Sequence, residues 1–243
     1  MAKLCAVIPT FNNPATIRSV VERVRQHISD VIVVDDGSGP EGRAACEALT
    51  ADGLADVVHR EENGGKGAAV KTGLARAKQR SFTHALQIDA DGQHTIEDIP
   101  RLLEAAERDP RALVLAAPRF DDSAPKARLW ARQITIFWTN LETKRGLIED
   151  PMCGFRIYPV DDALAATVSA DYMDFDPEVA VRLAWAGLPV INVPTKVRYV
   201  SREEGGVSNF RVFKDNALIS WMHTRLVAIR IWRTLLGLFG ARG

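Results

Sequence analysis

Apolar and polar positions alternate in blocks over the first half of the chain. Leu4 to Ile8 is a continuous apolar run closed by Pro9, the pattern of a strand buried on both faces. Pro14 can open a helix reaching about His27, with Ile17, Val20, Val21 and Val24 as its apolar stripe. The pattern then predicts strands at Val31–Val34, Asp56–His59, Ala85–Ile88 and Leu113–Ala116, and helices at Glu41–Leu49, Lys66–Lys78 and Ile96–Glu107. Such alternation predicts an α/β fold: a mostly parallel sheet with helices on both faces. In open sheets of this kind ligands bind beyond the carboxyl ends of the strands. The polar turns at Pro9–Asn13, Asp35–Ser38, Asn63–Lys66 and Asp89–His94 all follow strands and are therefore expected on one edge.

The regularity changes after Pro118. Lys126–Arg145 reads as a helix carrying Trp130, Ile134, Phe137, Trp138 and Leu141, and Ile148–Tyr158 as irregular chain. Pro177–Ala186 reads as helical, Val190–Val193 and Lys196–Val200 as two strands divided by Pro194, and 201–210 as a polar loop. Arg211–Phe239 reads as one long helix. Its apolar spacing fits two roles, packing on the protein core or lying in a membrane surface, with Trp221 and Trp232 as interfacial anchors. Its position beyond the predicted catalytic body favours the membrane.

The chain of 243 residues is 47% hydrophobic and 26% charged with zero net charge, which gives no overall attraction to nucleic acid. Its charge is uneven. From Lys196 onward nine basic residues (Lys196, Arg198, Arg202, Arg211, Lys214, Arg225, Arg230, Arg233, Arg242) face three acidic ones (Glu203, Glu204, Asp215), which suggests an anionic partner. Cys5, Cys46 and Cys153 match no zinc or disulfide spacing and point to a reduced, cytoplasmic compartment. No signal peptide is expected, because the first strand begins almost at once, and no uninterrupted apolar run is long enough to span a bilayer.

The chemistry gathers at Asp89-Ala90-Asp91-Gly92-Gln93-His94. Residues two apart on a strand end point the same way. Asp89 and Asp91 therefore form an oxygen-rich claw suited to a hard divalent ion that keeps positions open for phosphate oxygens, and Gln93 can add an amide oxygen. His94 fits a helix entry at least as well as a ligand. Asp35-Asp36-Gly37-Ser38 is either a tight turn or a carboxylate site for a ribose or base. In Asn63-Gly64-Gly65-Lys66-Gly67 the glycines permit close backbone approach, and the helix start favours an anion. Neither a dinucleotide-binding glycine pattern nor a P-loop is present.

Together these segments resemble the family 2 glycosyltransferases of the GT-A fold, and more closely the polyprenyl-phosphate glycosyltransferases, dolichyl-phosphate mannose synthase among them. The resemblance rests on Val7–Asn12, Val33–Ser38, Asn63–Gly67, Asp89–His94 and Asp150–Arg156, and covers roughly residues 4 to 210. It implies a donor-binding half at 1–117, an acceptor half at 118–210 and a membrane-associating amphipathic helix at 211–243. It also implies a nucleotide sugar lying across Pro9, Thr10, Phe11, Asn13, Asp35, Asp36, Gly65 and Lys66. Asp89, Asp91 and Gln93 would hold Mg2+ or Mn2+, and Arg119, Arg132, Arg156, Arg202 and Ser208 would meet acceptor or donor phosphates. The chain departs from the family's Tyr-Asn-Glu at Phe11-Asn12-Asn13, from its Ser-Lys at Ser208-Asn209 and from its serine at Cys153.

The expected activity is inverting sugar transfer from a nucleoside diphosphate sugar to a lipid acceptor, foremost a polyprenyl phosphate, at the cytoplasmic face of a membrane. A hydroxyl acceptor would need a base, for which Asp150 is the candidate. Nucleotidyl transfer and non-catalytic nucleotide-sugar binding are the rivals. The first lacks its Gly-x-Gly-Thr-Arg loop, and the intact carboxylates argue against the second.

Overall fold

The computed structural model describes residues 3–119, 126–196 and 211–240, and no side chains at 126–128, 131, 212 or 236–240. Arg202, Ser208 and the expected end of the second late strand (197–200) lie outside the described residues.

Among the described residues seven strands form one sheet: β1 (Leu4–Thr10), β2 (Val31–Asp35), β3 (Asp56–His59), β4 (His84–Gln87), β5 (Leu113–Arg119), β6 (Arg156–Pro159) and β7 (Val190–Lys196). Their order is β3-β2-β1-β4-β6-β5-β7. All pairings are parallel except those of β6, which runs antiparallel to both β4 and β5. The helices are α1 (Ile17–Arg25), α2 (Pro40–Ala51), α3 (Lys66–Gln79), α4 (Ile99–Arg108), α5 (Lys126–Glu142), α6 (Val160–Ala165), α7 (Phe175–Trp185) and α8 (Val212–Gly240).

The two-residue period of a strand sends alternate side chains to opposite faces. On β1, Ala6 and Ile8 join Ile17, Val20, Val21 and Val24 of α1 and Leu102 of α4 in one core. Cys5 and Val7 join Val70 and Leu74 of α3 and Val179 and Leu183 of α7 in the other. Both faces are covered, which is why the strands read as unbroken apolar runs.

The structure corrects three local expectations. The stretch expected to be irregular contains β6, hidden in the sequence because it is short and opens on a buried arginine. Helix α6 follows it directly and was not expected. Residues 190–196 form one strand through Pro194 rather than two strands parted by it. Among the described residues β7 is an edge strand, paired with β5 alone, so the missing N–H of Pro194 breaks no second ladder there.

Helix α8 packs one face inward: Ile219, Met222 and Leu226 meet Val181 and Trp185 of α7 and Met152. The His223 imidazole lies 2.7 Å from the Glu142 carboxylate of α5. The same helix leaves Phe213, Trp221, Ile231 and Trp232 exposed, and α5 leaves Trp130, Ile134, Phe137 and Leu141 exposed on successive turns. Among the described residues no helix is long and apolar enough to cross a membrane.

Candidate active site

The carboxyl ends of β1, β2 and β4 and the start of α3 open onto one cavity of about 330 Å³. The sheet thus brings together Pro9, Thr10, Phe11, Asn13, Asp36, Gly65, Lys66, Asp89 and Asp91 from its strand ends, and α5 adds Arg132.

Each turn is held by its own side chains. Asn13 accepts from the Thr10 hydroxyl and the Phe11 N–H, both at 3.3 Å, which folds the chain back after β1. Asp36 accepts from the Gly64 and Gly65 N–H groups at 3.1 and 2.8 Å and pairs with Arg60 at 2.8 Å, so this carboxylate fixes the glycine turn against β2. Burial pushes the Asp36 carboxyl up, against the pull of those N–H groups and of Arg60. Gly65 has a φ of 98°, a conformation that favours glycine, and a Cβ there would strike Asp171 and Tyr172. Asp35 does not line the cavity; it accepts from the Ser38 N–H and faces His59 at 2.8 Å.

At the floor, Lys66 Nζ lies 2.7 Å from Asp89 Oδ1 and 2.8 Å from Asp176 Oδ2. Burial alone would raise the Asp89 carboxyl, but the Lys66 ammonium and the neighbouring His94 outweigh it and hold the group well below the usual carboxylate range. Asp91 moves the other way, raised by burial and by the Asp89 charge. Asp91 accepts from the Gln93 N–H at 3.0 Å, and the Gln93 side chain does not line the cavity.

Two hard carboxylates at the cavity floor, one with its charge raised in energy by the other, fit a divalent cation. Among the described residues no group of three or more His, Cys, Asp or Glu side chains is arranged to hold a metal alone. The fit is to an ion that takes its remaining ligands from phosphate oxygens and water, the habit of Mg2+ and of ions like it.

A second cavity of about 360 Å³ lies between β5 and α5 and is lined by Arg119, Glu149 and Asp150. Arg132 lines both cavities. Its guanidinium pairs with Asp150, whose other oxygen accepts from the Met152 N–H at 2.9 Å. Arg119 reaches Glu149 at 2.9 Å. Arg156 lines neither cavity: fully buried, it donates to the main-chain oxygens of Pro151, Cys153 and Asp176 and so ties down the loop before β6. Cys153 is buried, and its thiol is pushed up to about 12 by desolvation, so it is an inert packing group at neutral pH.

Several lining residues were not singled out from the sequence as site residues: Tyr172, Met173, Asp176, Arg211 and Asp215. The sequence does carry one signal, acids at 174, 176 and 178 within an otherwise apolar stretch. A carboxylate in a buried helix implies a cationic partner, and for Asp176 the nearest is Lys66 at 2.8 Å, with Arg156 behind it at 3.8 Å.

A model described as "Glycosyl transferase family 2" matches residues 5–162. An undecaprenyl-phosphate mannosyltransferase of Micrococcus luteus is 30% identical over 84% of this chain and 86% of its own. A polyprenol monophosphomannose synthase of Mycolicibacterium smegmatis is 29% identical over 82% and 78%. Among solved structures, glucosyl-3-phosphoglycerate synthase of Mycobacterium tuberculosis, in complex with Mn2+ and uridine-diphosphate-glucose, superposes with a TM-score of 0.69 at 19% identity. That match covers 94% of this chain and 79% of the other. At that identity it establishes the shared fold.

Proposed function

This chain belongs to glycosyl transferase family 2, and on that premise we propose that it moves a sugar from a nucleoside diphosphate sugar to a polyprenyl phosphate at a membrane surface. The observation that carries this reading is the cavity in which Asp89, Asp91, Lys66 and Arg132 converge at the strand ends, with Arg132 shared by a second cavity beside the exposed apolar face of α5. The names of the Micrococcus and Mycolicibacterium relatives add to it, since both concern prenol-phosphate sugars.

In this reading the donor lies over the turns after β1, β2 and β3, with its diphosphate at Asp89, Asp91 and the start of α3. A divalent cation, Mg2+ or Mn2+, held by Asp89 and Asp91 would supply positive charge to the departing diphosphate. Lys66 and the N–H groups at the start of α3 offer further positive charge to the same group. The acceptor head enters from the second cavity and meets Arg132, with Arg119 at the rim, where guanidinium forks match phosphate oxygens. A phosphate oxygen of the acceptor attacks the anomeric carbon, the bond to the donor's diphosphate oxygen breaks, and one displacement inverts that carbon. A lipid phosphate is already ionised, so no base is required.

Asp150 fits this better than it fits a general base. Both of its oxygens are engaged, one by Arg132 and one by the Met152 N–H, so it orients the guanidinium rather than waiting for a proton. The exposed aromatic side chains of α5 and α8 suit a protein that sits peripherally on the cytoplasmic face of a membrane.

The test is a transfer assay with the purified protein, Mg2+ or Mn2+, a panel of nucleotide sugars and either polyprenyl phosphate or the matching polyprenol, with products identified by mass. The expected outcome is a sugar phosphoprenol and one released nucleoside diphosphate. Transfer to the polyprenol alone would move the reaction to a hydroxyl acceptor, and transfer to neither lipid would end the lipid reading.

A further inference from the structure

We propose that Asp176 is the positioning residue that aims the Lys66 ammonium at the donor's diphosphate; this rests on the donor site proposed above. Asp176 sits in the first turn of α7, 87 positions after Asp89, yet shares the ammonium of Lys66 with it.

Lysine has three N–H donors on a flexible four-carbon stem. Here the ammonium is ion-paired with carboxylates from two different elements, at 2.7 and 2.8 Å. A stem held from two sides keeps one orientation, and the cavity that Lys66 lines opens the ammonium to an incoming oxygen.

Asp176 is itself rigidly placed. Its Oδ1 accepts from Gln87 Nε2 at 3.0 Å, and Gln87 Oε1 accepts from the Tyr158 hydroxyl at 2.7 Å. Its main-chain oxygen accepts from Arg156 at 2.8 Å. The links Tyr158–Gln87–Asp176–Lys66–Asp89 therefore run from the buried middle of the sheet to the cavity floor. The backbone fixes the distance between the two elements as well. The Ala68 N–H of α3 donates to the Asp171 oxygen at 3.0 Å, and a Cβ on Gly67 would strike Phe175.

Charge assigns the direction of the effect. With both carboxylates present the ammonium is shared between them. Without Asp176, the remaining carboxylate against Lys66 is Asp89, one of the two residues assigned to the cation. The ammonium would then collapse onto Asp89, compete with the cation and turn away from the diphosphate.

The experiment measures nucleoside diphosphate affinity by calorimetry, with Mn2+ present, in four proteins: the parent, Asp176→Asn, Lys66→Met and the double variant. Asp176→Asn is expected to weaken binding about tenfold and to raise KM for the donor, with KM for the lipid phosphate unchanged. In the Lys66→Met background the same change should alter affinity less than twofold, because no ammonium is left to aim. Equal losses in both backgrounds would mean that Asp176 acts through the fold alone and would overturn the proposal, as would an Asp176→Asn protein that binds like the parent. If the parent itself does not bind nucleoside diphosphate, the donor site falls instead. Should Asp176→Asn not fold, a crystal structure of the parent with nucleoside diphosphate and Mn2+ decides. Lys66 Nζ within hydrogen-bond distance of both Asp176 and a phosphate oxygen supports the proposal, and Lys66 detached from Asp176 overturns it.

Discussion

Gly154 shows how closely single residues are fitted at the cavity floor. A Cβ at this position would meet Lys66 Nζ and both oxygens of Asp89. All three atoms are tips of side chains, so they can move aside, and what suffers is their mutual arrangement rather than the fold. Gly154→Ala should leave the melting temperature within a few degrees of the parent and weaken donor binding at least about tenfold; calorimetry beside a thermal melt checks both. The placement of the carboxylates at 89 and 91 on the cavity was legible in the sequence because they follow a buried strand. Asp176 and the engagement of Asp150 by Arg132 were not, since pairing across such separations depends on strand order, which local pattern does not contain.

Among the elements, α7 and α8 are joined through Glu178, a fully buried carboxylate that meets Arg182 and Arg225 at 2.6 Å and accepts from the Ala170 N–H at 2.9 Å. Burial alone would raise this carboxyl, but the two guanidiniums outweigh it and hold it below its ordinary 4.5. A carboxylate depressed on folding stabilises above its unfolded value and stops doing so as pH falls through the folded one. Glu178→Gln should therefore cost on the order of 3 kcal/mol at neutral pH. The gap to the parent should narrow below pH 4.5, as urea melts across pH would record. The outer face of α8 behaves differently. Trp221 and Trp232 are 66% and 63% exposed, so changing both to Ser should leave stability nearly intact while lowering partition onto anionic vesicles by roughly tenfold in a sedimentation assay. Deleting all of α8 would be a poorer test, because it would also uncover Val181 and Trp185. The sequence showed that this helix exists but left open which face goes where. Its apolar residues run nearly all around it, and α5 and α7 decide which of them are covered.

At the level of the whole molecule, most of the sheet could be read from the chain because parallel strands buried on both faces leave unbroken apolar runs. The antiparallel β6 could not, as it is four residues long and starts with a charge that is neutralised only after folding. The cavity at the strand ends is built from both sheet-end turns and α7, so a nucleotide bound there should brace the entire domain. Nucleoside diphosphate with Mn2+ at about 100 times its dissociation constant should add about 2.7 kcal/mol and raise the melting temperature by roughly 5–10 °C. The Asp91→Ala protein should lose most of that shift in the same scanning calorimetry.

The insertion of β6 between β4 and β5 also constrains how this enzyme can be recombined with its relatives. A chimaera cut at residue 117 would supply a sheet with an empty slot and rely on a foreign segment to fill it in the right register on two flanks. Residues 156–159 belong, by hydrogen bonding, with residues 84–87, about seventy positions before them. Engineers seeking to exchange sugar preference should therefore transplant two discontinuous pieces together. Natural shuffling of the front part of such a gene would be filtered by the same requirement.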